Sequence, residues 1–310
     1  MKVLFHYAAG PDLAARLAAI PGLRITVCPE ADDATLRRLL PETDVLWHVL
    51  QRCTADMIAA APRLRLIQKI GVGVNTIDLD AARARGIPVC NLPATNARAV
   101  AELALALMLA ALRRLPRFDA GMRQGVWTDP LLQDGLGELG GRTVGLVGYG
   151  AIPQLLAPIL AAMGCRLLYT TRAPRPDALG DWRALPDLLA EADIVSLHLP
   201  LTPETANLID AGALARMKPG AVLINTARGG LVDQPALTQA LQSGRLAAAG
   251  LDVFEAEPPD FGAPLFQLPN VVLSPHIAWL TTATFDRSFA QAAENCRRLA
   301  AGEALLNRVV

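Results

Sequence analysis

Lysine is nearly missing from this chain. Three residues, Lys2, Lys69 and Lys218, stand among 29 basic side chains that are otherwise arginine, and 29 acidic residues balance them to a formal net charge of zero. A zero balance without basic runs excludes the electrostatic footprint of a nucleic-acid or acidic-membrane partner. Cysteine is scarce and scattered: Cys28, Cys53, Cys90, Cys165 and Cys296 are odd in number, with no CxxC pair and no metal-ligand spacing. That excludes a disulfide framework and leaves reduced thiols, which imply a cytoplasmic location. None of the four histidines has a spacing that implies a metal. The longest helical apolar run, Leu103 to Leu112, is too short to span a bilayer. No signal peptide is expected ahead of the strand-like run Val3-Leu4-Phe5.

What is present is apolar. The 310 residues are 52% hydrophobic and 19% charged, enough for about two buried cores. Short apolar runs alternate with amphipathic helical stretches. Strands are expected at 2–5, 24–27, 45–49, 66–70 and 88–91, then at 143–147, 166–169, 194–197, 222–225, 247–251 and 271–273. Helices fall between them, as at 95–114, 152–163 and 234–243, and strands separated by helices imply parallel, doubly wound sheets. The pattern runs in two blocks, before about residue 95 and after about 140, joined by a long helix that Thr95 or Asn96 can cap. The tail, 282–299, reads as one amphipathic helix that returns to the first block.

The second block opens with Thr143-Val144-Gly145-Leu146-Val147-Gly148-Tyr149-Gly150-Ala151-Ile152-Pro153. This is a buried strand, a glycine turn and a helix start, the means by which a chain binds a dinucleotide pyrophosphate. Gly148 permits the turn, Gly150 lets the backbone approach the phosphates, and the first helical N–H groups, at Ala151 and Ile152, face the negative charge. Pro153 replaces the usual third glycine, and is tolerated because a first-turn N–H has no intrahelical partner. About 20 residues on, where an acid would grip the ribose hydroxyls of NAD, the strand tip carries Thr170-Thr171-Arg172-Ala173-Pro174-Arg175 and no carboxylate. Two hydroxyls and two guanidiniums suit a phosphate, which favours NADP(H), with NAD(H) as the alternative, and places Thr171 and Arg172 in the cofactor site.

Three polar motifs each follow an apolar strand. Val222-Leu223-Ile224-Asn225 leads to Thr226-Ala227-Arg228-Gly229-Gly230, Ala249-Gly250-Leu251 to Asp252-Val253-Phe254-Glu255-Ala256-Glu257-Pro258, and Val271-Val272-Leu273 to Ser274-Pro275-His276. Carboxyl ends of parallel strands are where open sheets build sites, and an Arg, a Glu and a His gathered there form an acid–base set.

With GVGVNTIDLDAARARGIPV, SLHLPLTPET, MKPGAVLINTARGGLVD, GLDVFEAEP and SPHIAW, the chain resembles the D-isomer-specific 2-hydroxyacid dehydrogenase family nearly end to end, and within it the glyoxylate/hydroxypyruvate reductases. The resemblance implies two Rossmann-like domains, a discontinuous substrate domain of residues 1–95 and 280–310 and a dinucleotide-binding domain of 96–279, with a homodimer built around the latter. It implies that His276 is the general acid, that Glu257 holds its imidazole, and that Arg228 binds the substrate carboxylate and polarises the carbonyl. Val72 and Gly73 would meet that carboxylate through backbone N–H groups. Leu199 and Pro200 would flank the adenine, Thr226 would contact the cofactor through its backbone, and Asp252 would contact the nicotinamide carboxamide or support the catalytic residues. The similar formate dehydrogenases carry Gln where this chain has Glu257, so a carboxylate here argues for carbonyl protonation. The implied reaction is hydride transfer to a small 2-oxo acid such as glyoxylate or hydroxypyruvate. A bulkier D-2-hydroxy acid or D-3-phosphoglycerate is the alternative, the latter ranked lower because the chain ends near residue 310 and shows no phosphate-specific basic cluster in its first domain. A dinucleotide-sensing binding protein is the non-enzymatic reading. Trp47, His48, Leu50 and Trp279 remain open between a substrate pocket and core packing.

Overall fold

A computed structural model describes residues 1–127 and 135–310. By its contacts the chain divides into two units, Met1–Asn96 with Leu280–Val310, and Ala97–Trp279.

The first unit is a five-stranded, all-parallel sheet built from β1 (Lys2–His6), β2 (Arg24–Cys28), β3 (Val45–His48), β4 (Leu66–Lys69) and β5 (Val89–Cys90). Its order is β2-β1-β3-β4-β5, so the chain reverses direction across the sheet between β1 and β3. β3 and β4 are buried at every position, as expected of strands covered on both faces. The C-terminal helix Thr282–Ala301 belongs to this unit: Phe289 stacks on Trp47 at 5.6 Å between ring centroids and meets Phe5 edge-on at 5.7 Å. Buried Asn295 donates to Gln68 Oε1 at 2.7 Å, and the tail closes onto β5 through Val309 N–H to Val89 O at 2.7 Å. Trp47 is therefore core, and fully buried. His48 is buried as well and engages the Gln51 carbonyl, a satisfied structural histidine.

The second unit holds seven parallel strands: β6 (Thr143–Val147), β7 (Arg166–Thr170), β8 (Asp181–Trp182), β9 (Ile194–Leu197), β10 (Ala221–Asn225), β11 (Leu246–Leu251) and β12 (Val271–Leu273). The order β12-β11-β10-β9-β6-β7-β8 is doubly wound, with its reversal between β6 and β9. Strand β8, two residues long and only partly covered, has no apolar run to announce it. Helices Ala97–Arg113 and Ala151–Ala162 cover one face over Leu146, Val222 and Ile224, and the opposite face packs Val147, Leu197 and Leu223. Thr95 does not cap the first of these helices through its hydroxyl, which donates to Leu92 O at 3.2 Å. Gly250 admits that helix closely, since a Cβ there would press on Leu107.

Register fixes where the polar motifs fall. Val147 and Asn225 both pair with Leu197, Asn225 with Leu251, and Leu251 with Leu273. The segments after β6, β9, β10, β11 and β12 therefore emerge at one carboxyl-end edge of the sheet.

Candidate active site

The turn after β6 is built on a backbone that only glycine tolerates well. Gly148 has φ +95°, and a Cβ there would lie 2.7 Å from His198 O and 2.9 Å from Leu199 Cδ2. The fingerprint thus packs against the end of β9, where Leu199 is half-buried and Pro200 exposed. Gly150 faces open space and is the N-cap of the helix Ala151–Ala162, with no side chain capping it. The N–H groups of Ala151 and Ile152 stand among the first-turn donors that a helix cannot satisfy internally, and Pro153, at the third position, removes one that needed no partner. Thr226 Oγ1 is buried without a hydrogen-bond partner at the end of β10, and so is His198 Nδ1 at the end of β9. An open-faced glycine turn, an uncapped helix start and orphaned polar atoms beside them fit a dinucleotide laid across the β6/β9 reversal. His198 bonds Ser196 Oγ through Nε2 at 2.9 Å, and burial pushes its imidazole down to about 3.

At the tip of β7 the two arginines separate. Arg175 is committed: its Nη1 donates to Tyr149 O at 2.8 Å, and its Nε and Nη2 hold both oxygens of Asp177 at 3.0 and 2.6 Å. Arg172 is exposed and makes no hydrogen bond or ion pair among the described residues. Thr171 Oγ1 is turned back onto Ala173 O at 2.6 Å.

Three adjacent strands deliver the acid–base set. His276 Nδ1 lies 2.6 Å from Glu257 Oε2, and Phe254 N–H donates to the other carboxylate oxygen at 3.0 Å. Burial pulls the Glu257 carboxyl upward, but the His276 hydrogen bond and charge, the Phe254 N–H and Arg228 together hold it below the usual carboxylate range. Arg228 is half-buried and donates to Ala227 O at 2.6 Å. Burial lowers its guanidinium from the ordinary arginine value, and the charge of Glu257 opposes that. The loops bearing Arg228 and Glu257 touch backbone to backbone: a Cβ on Gly229 would overlap the carbonyl of Phe254.

His276 has φ +54°, a left-handed conformation uncommon for a non-glycine residue. Asp252, fully buried, holds it there. One carboxylate oxygen accepts from Ser274 Oγ at 2.6 Å and Ile277 N at 2.9 Å, the other from Ala278 N at 2.8 Å, while Asp252 O accepts from His276 N at 2.8 Å. Burial raises the Asp252 carboxyl against these bonds. Trp279 Nε1 donates to His276 O at 2.9 Å, which makes it a buttress behind the histidine. Both carboxylate oxygens of Asp252 serve the His276 loop. Sequence reasoning missed Ser274 and the Phe254 N–H; a serine beside SPH carries no signal until the fold sets it against Asp252.

In the first unit, Val72 is 44% exposed on the loop after β4. Leu92 N and Asn91 Nδ2 tie down the carbonyls of Gly71 and Val72 at 2.8 and 2.9 Å. The N–H groups of Val72 and Gly73 make no hydrogen bond among the described residues, so they remain available as donors. Among the described residues no cluster of His, Cys, Asp and Glu could hold a metal, and no helix is long and apolar enough to cross a membrane.

Known proteins share this arrangement. Residues 105–278 match the family described as D-isomer specific 2-hydroxyacid dehydrogenase, NAD binding domain. The chain is 43% identical over 307 residues to a D-3-phosphoglycerate dehydrogenase of Mycobacterium bovis, covering 97% of this chain and 54% of that protein, so it spans about half the length of those relatives. It is 42% identical over 290 residues to a glyoxylate reductase of Aeropyrum pernix, covering 89% and 86% of the two chains. A crystal structure of a Thermus thermophilus protein superposes with a TM-score of 0.90 at 40% identity, over 100% of both chains.

Proposed function

The chain belongs to the D-isomer-specific 2-hydroxyacid dehydrogenase family, and from that premise we propose that it reduces a small 2-oxo acid, glyoxylate or hydroxypyruvate, to the D-2-hydroxy acid. The observation that carries the proposal is the 2.6 Å His276–Glu257 pair, set at the carboxyl edge of the sheet with the Arg228 guanidinium electrostatically coupled to it. A bound nicotinamide dinucleotide supplies a hydride to the substrate's carbonyl carbon. Protonated His276, through Nε2, gives its proton to the carbonyl oxygen as that oxygen gains charge, so a C–H and an O–H bond form as the C=O π bond is lost. Glu257 takes the Nδ1 hydrogen bond, orients the ring and stabilises its charged form. Arg228 binds the substrate carboxylate with charge-assisted bonds and polarises the carbonyl. The exposed Val72–Gly73 loop of the first unit is assigned backbone N–H contacts to substrate. His276 recovers its proton from solvent.

The second unit is assigned the dinucleotide: Gly148, Gly150, Ala151 and Ile152 the pyrophosphate, Leu199 and Pro200 the adenine, Thr226 a backbone contact, and Thr171 and Arg172 the phosphate that NADP(H) carries on the adenosine ribose. The uncommitted Arg172 and the absence of an acid at the β7 tip support NADP(H) over NAD(H). A homodimer is supported by the apolar side chains left outward on one stretch of the second unit, Leu115, Met122, Val126 and Trp127, the last 83% exposed. A cytoplasmic setting is supported by five free cysteines.

A second reading, oxidation of D-3-phosphoglycerate, is favoured by the 43% identity to enzymes of that name. Initial rates of NADPH and NADH oxidation on glyoxylate, hydroxypyruvate, pyruvate, 2-oxoisocaproate and phenylpyruvate, beside NAD(P)+ reduction on D-3-phosphoglycerate, separate the two. Fastest turnover on glyoxylate or hydroxypyruvate with NADPH is expected. Turnover on phosphoglycerate alone would replace the proposal with the second reading, and tight dinucleotide binding with no turnover would point to a sensing protein.

A further inference from the structure

The loop that follows β7 is held by two tyrosine hydroxyls, each of which closes a ring on both backbone groups of one loop residue. Tyr169 Oη accepts from Arg175 N at 2.8 Å and donates to Arg175 O at 3.1 Å. Tyr149 Oη accepts from Leu179 N at 2.7 Å and donates to Leu179 O at 3.3 Å. The two rings lie against each other, 5.0 Å between centroids, and both are buried. Tyr149 is the residue between Gly148 and Gly150, so the pyrophosphate turn and the loop share one anchor. Arg175 adds a strut, its guanidinium spanning from Tyr149 O to Asp177, and Trp182 Nε1 pins the loop's start at Thr171 O, 3.1 Å away. Buried hydroxyls are costly to leave unpaired, and here each pairs twice with backbone, which fixes a segment that has no secondary structure of its own between β7 and β8.

This scaffold fixes which guanidinium is left over. A fork locked onto a carboxylate has its charge offset and its donors occupied, so Arg175 is poorly placed to take a phosphate. Arg172, three residues earlier on the same stapled loop, keeps its full charge and its donors. We propose that Tyr149 and Tyr169 are positioning residues for cofactor choice: their hydroxyls hold the 171–179 loop in the shape that presents Arg172 to a phosphomonoester on the adenosine ribose, with Arg175 as internal strut and not as ligand. The proposal rests on the NADP(H) reading above and adds to it the residues through which Arg172 acts.

The test is calorimetric titration of the full chain with NADP+ and with NAD+, in the wild type and in Arg172→Ala, Tyr169→Phe, Tyr149→Phe and the Tyr169→Phe/Arg172→Ala double variant. Arg172→Ala should weaken NADP+ by about 10- to 100-fold, the scale of one charge-assisted contact, and leave NAD+ unchanged. Each tyrosine variant should weaken NADP+ by roughly 3- to 10-fold, part of that contact, again sparing NAD+. The double variant should bind NADP+ no more weakly than Arg172→Ala alone, because the tyrosine acts through the arginine. Unchanged NAD+ binding reports an intact turn, whereas a merely structural loss would weaken both nucleotides together and overturn the proposal. Tyrosine variants that leave the NADP+/NAD+ ratio untouched while Arg172→Ala collapses it would also overturn it and spare the phosphate reading. An ineffective Arg172→Ala would overturn both.

Discussion

Replacing Glu257 with Gln keeps the shape of the His276 contact and removes its charge. The proton on His276 is needed for reduction, and a carboxylate beside the ring stabilises the charged form that carries it. Two unit charges ~4 Å apart attract by about 1 kcal/mol in water and about 4 kcal/mol at an effective dielectric of 20. The His276 and Glu257 side chains are 20% and 35% exposed, which places the pair between those limits. Roughly 2 kcal/mol, at about 1.4 kcal/mol per factor of ten, is about a 30-fold loss of rate. Arg228 faces the same carboxylate, and without Glu257 its charge is no longer offset, which pushes in the same direction. Buried Asp252 still acts on His276 in the variant, and limits the fall. kcat/KM for 2-oxo acid reduction should therefore fall about 30-fold in Glu257→Gln. On the acid side, the wild-type limb due to Glu257 should lie below the usual carboxylate range, because its folded-state titration is depressed, and should vanish in the variant. An unchanged kcat/KM in a folded Glu257→Gln protein would refute the reasoning.

Arg228→Ala should lower kcat and raise KM together, about 10- to 100-fold in kcat/KM, because one charged contact serves binding and polarisation; steady-state kinetics on glyoxylate checks it, with dinucleotide affinity unchanged. Gly229→Ala places a methyl group onto the Phe254 carbonyl, backbone against backbone, so it should cost about 3 kcal/mol or more and lower the melting temperature by roughly 6–12 °C while separating Arg228 from Glu257. A neutral Gly229→Ala in thermal unfolding and turnover would mean the two loops do not pack as described.

The periodicity of the chain exposed most of the fold because its strands are apolar runs covered on both faces; all eleven expected ones, from 2–5 to 271–273, lie within one residue of the structure at either end. Strand β8 escaped since two half-covered residues make no pattern. At the site, residue type and position after a strand marked the three motifs, the family resemblance pointed within them to Arg228, Glu257 and His276, and parallel register brings the motifs to one edge. Long-range bonds were not legible. Arg172 and Arg175 look equivalent in sequence, and only the folded Tyr149 carbonyl and Asp177 tell them apart. Likewise Trp47 could line a pocket or a core until Phe289, 242 residues away, stacks on it. Asp252 showed as a polar residue at a strand end, but its task of holding a left-handed His276 depends on Ser274, Ile277 and Ala278 arriving from the next strand.

The central claim is that His276 delivers the proton that accompanies hydride transfer. The most direct test is the rate of NADPH oxidation by His276→Ala with glyoxylate, beside its NADPH affinity. A fall in kcat of about 10²- to 10⁴-fold with affinity retained is the predicted result, the usual scale of a positioned general acid. Turnover at the wild-type rate would contradict the account.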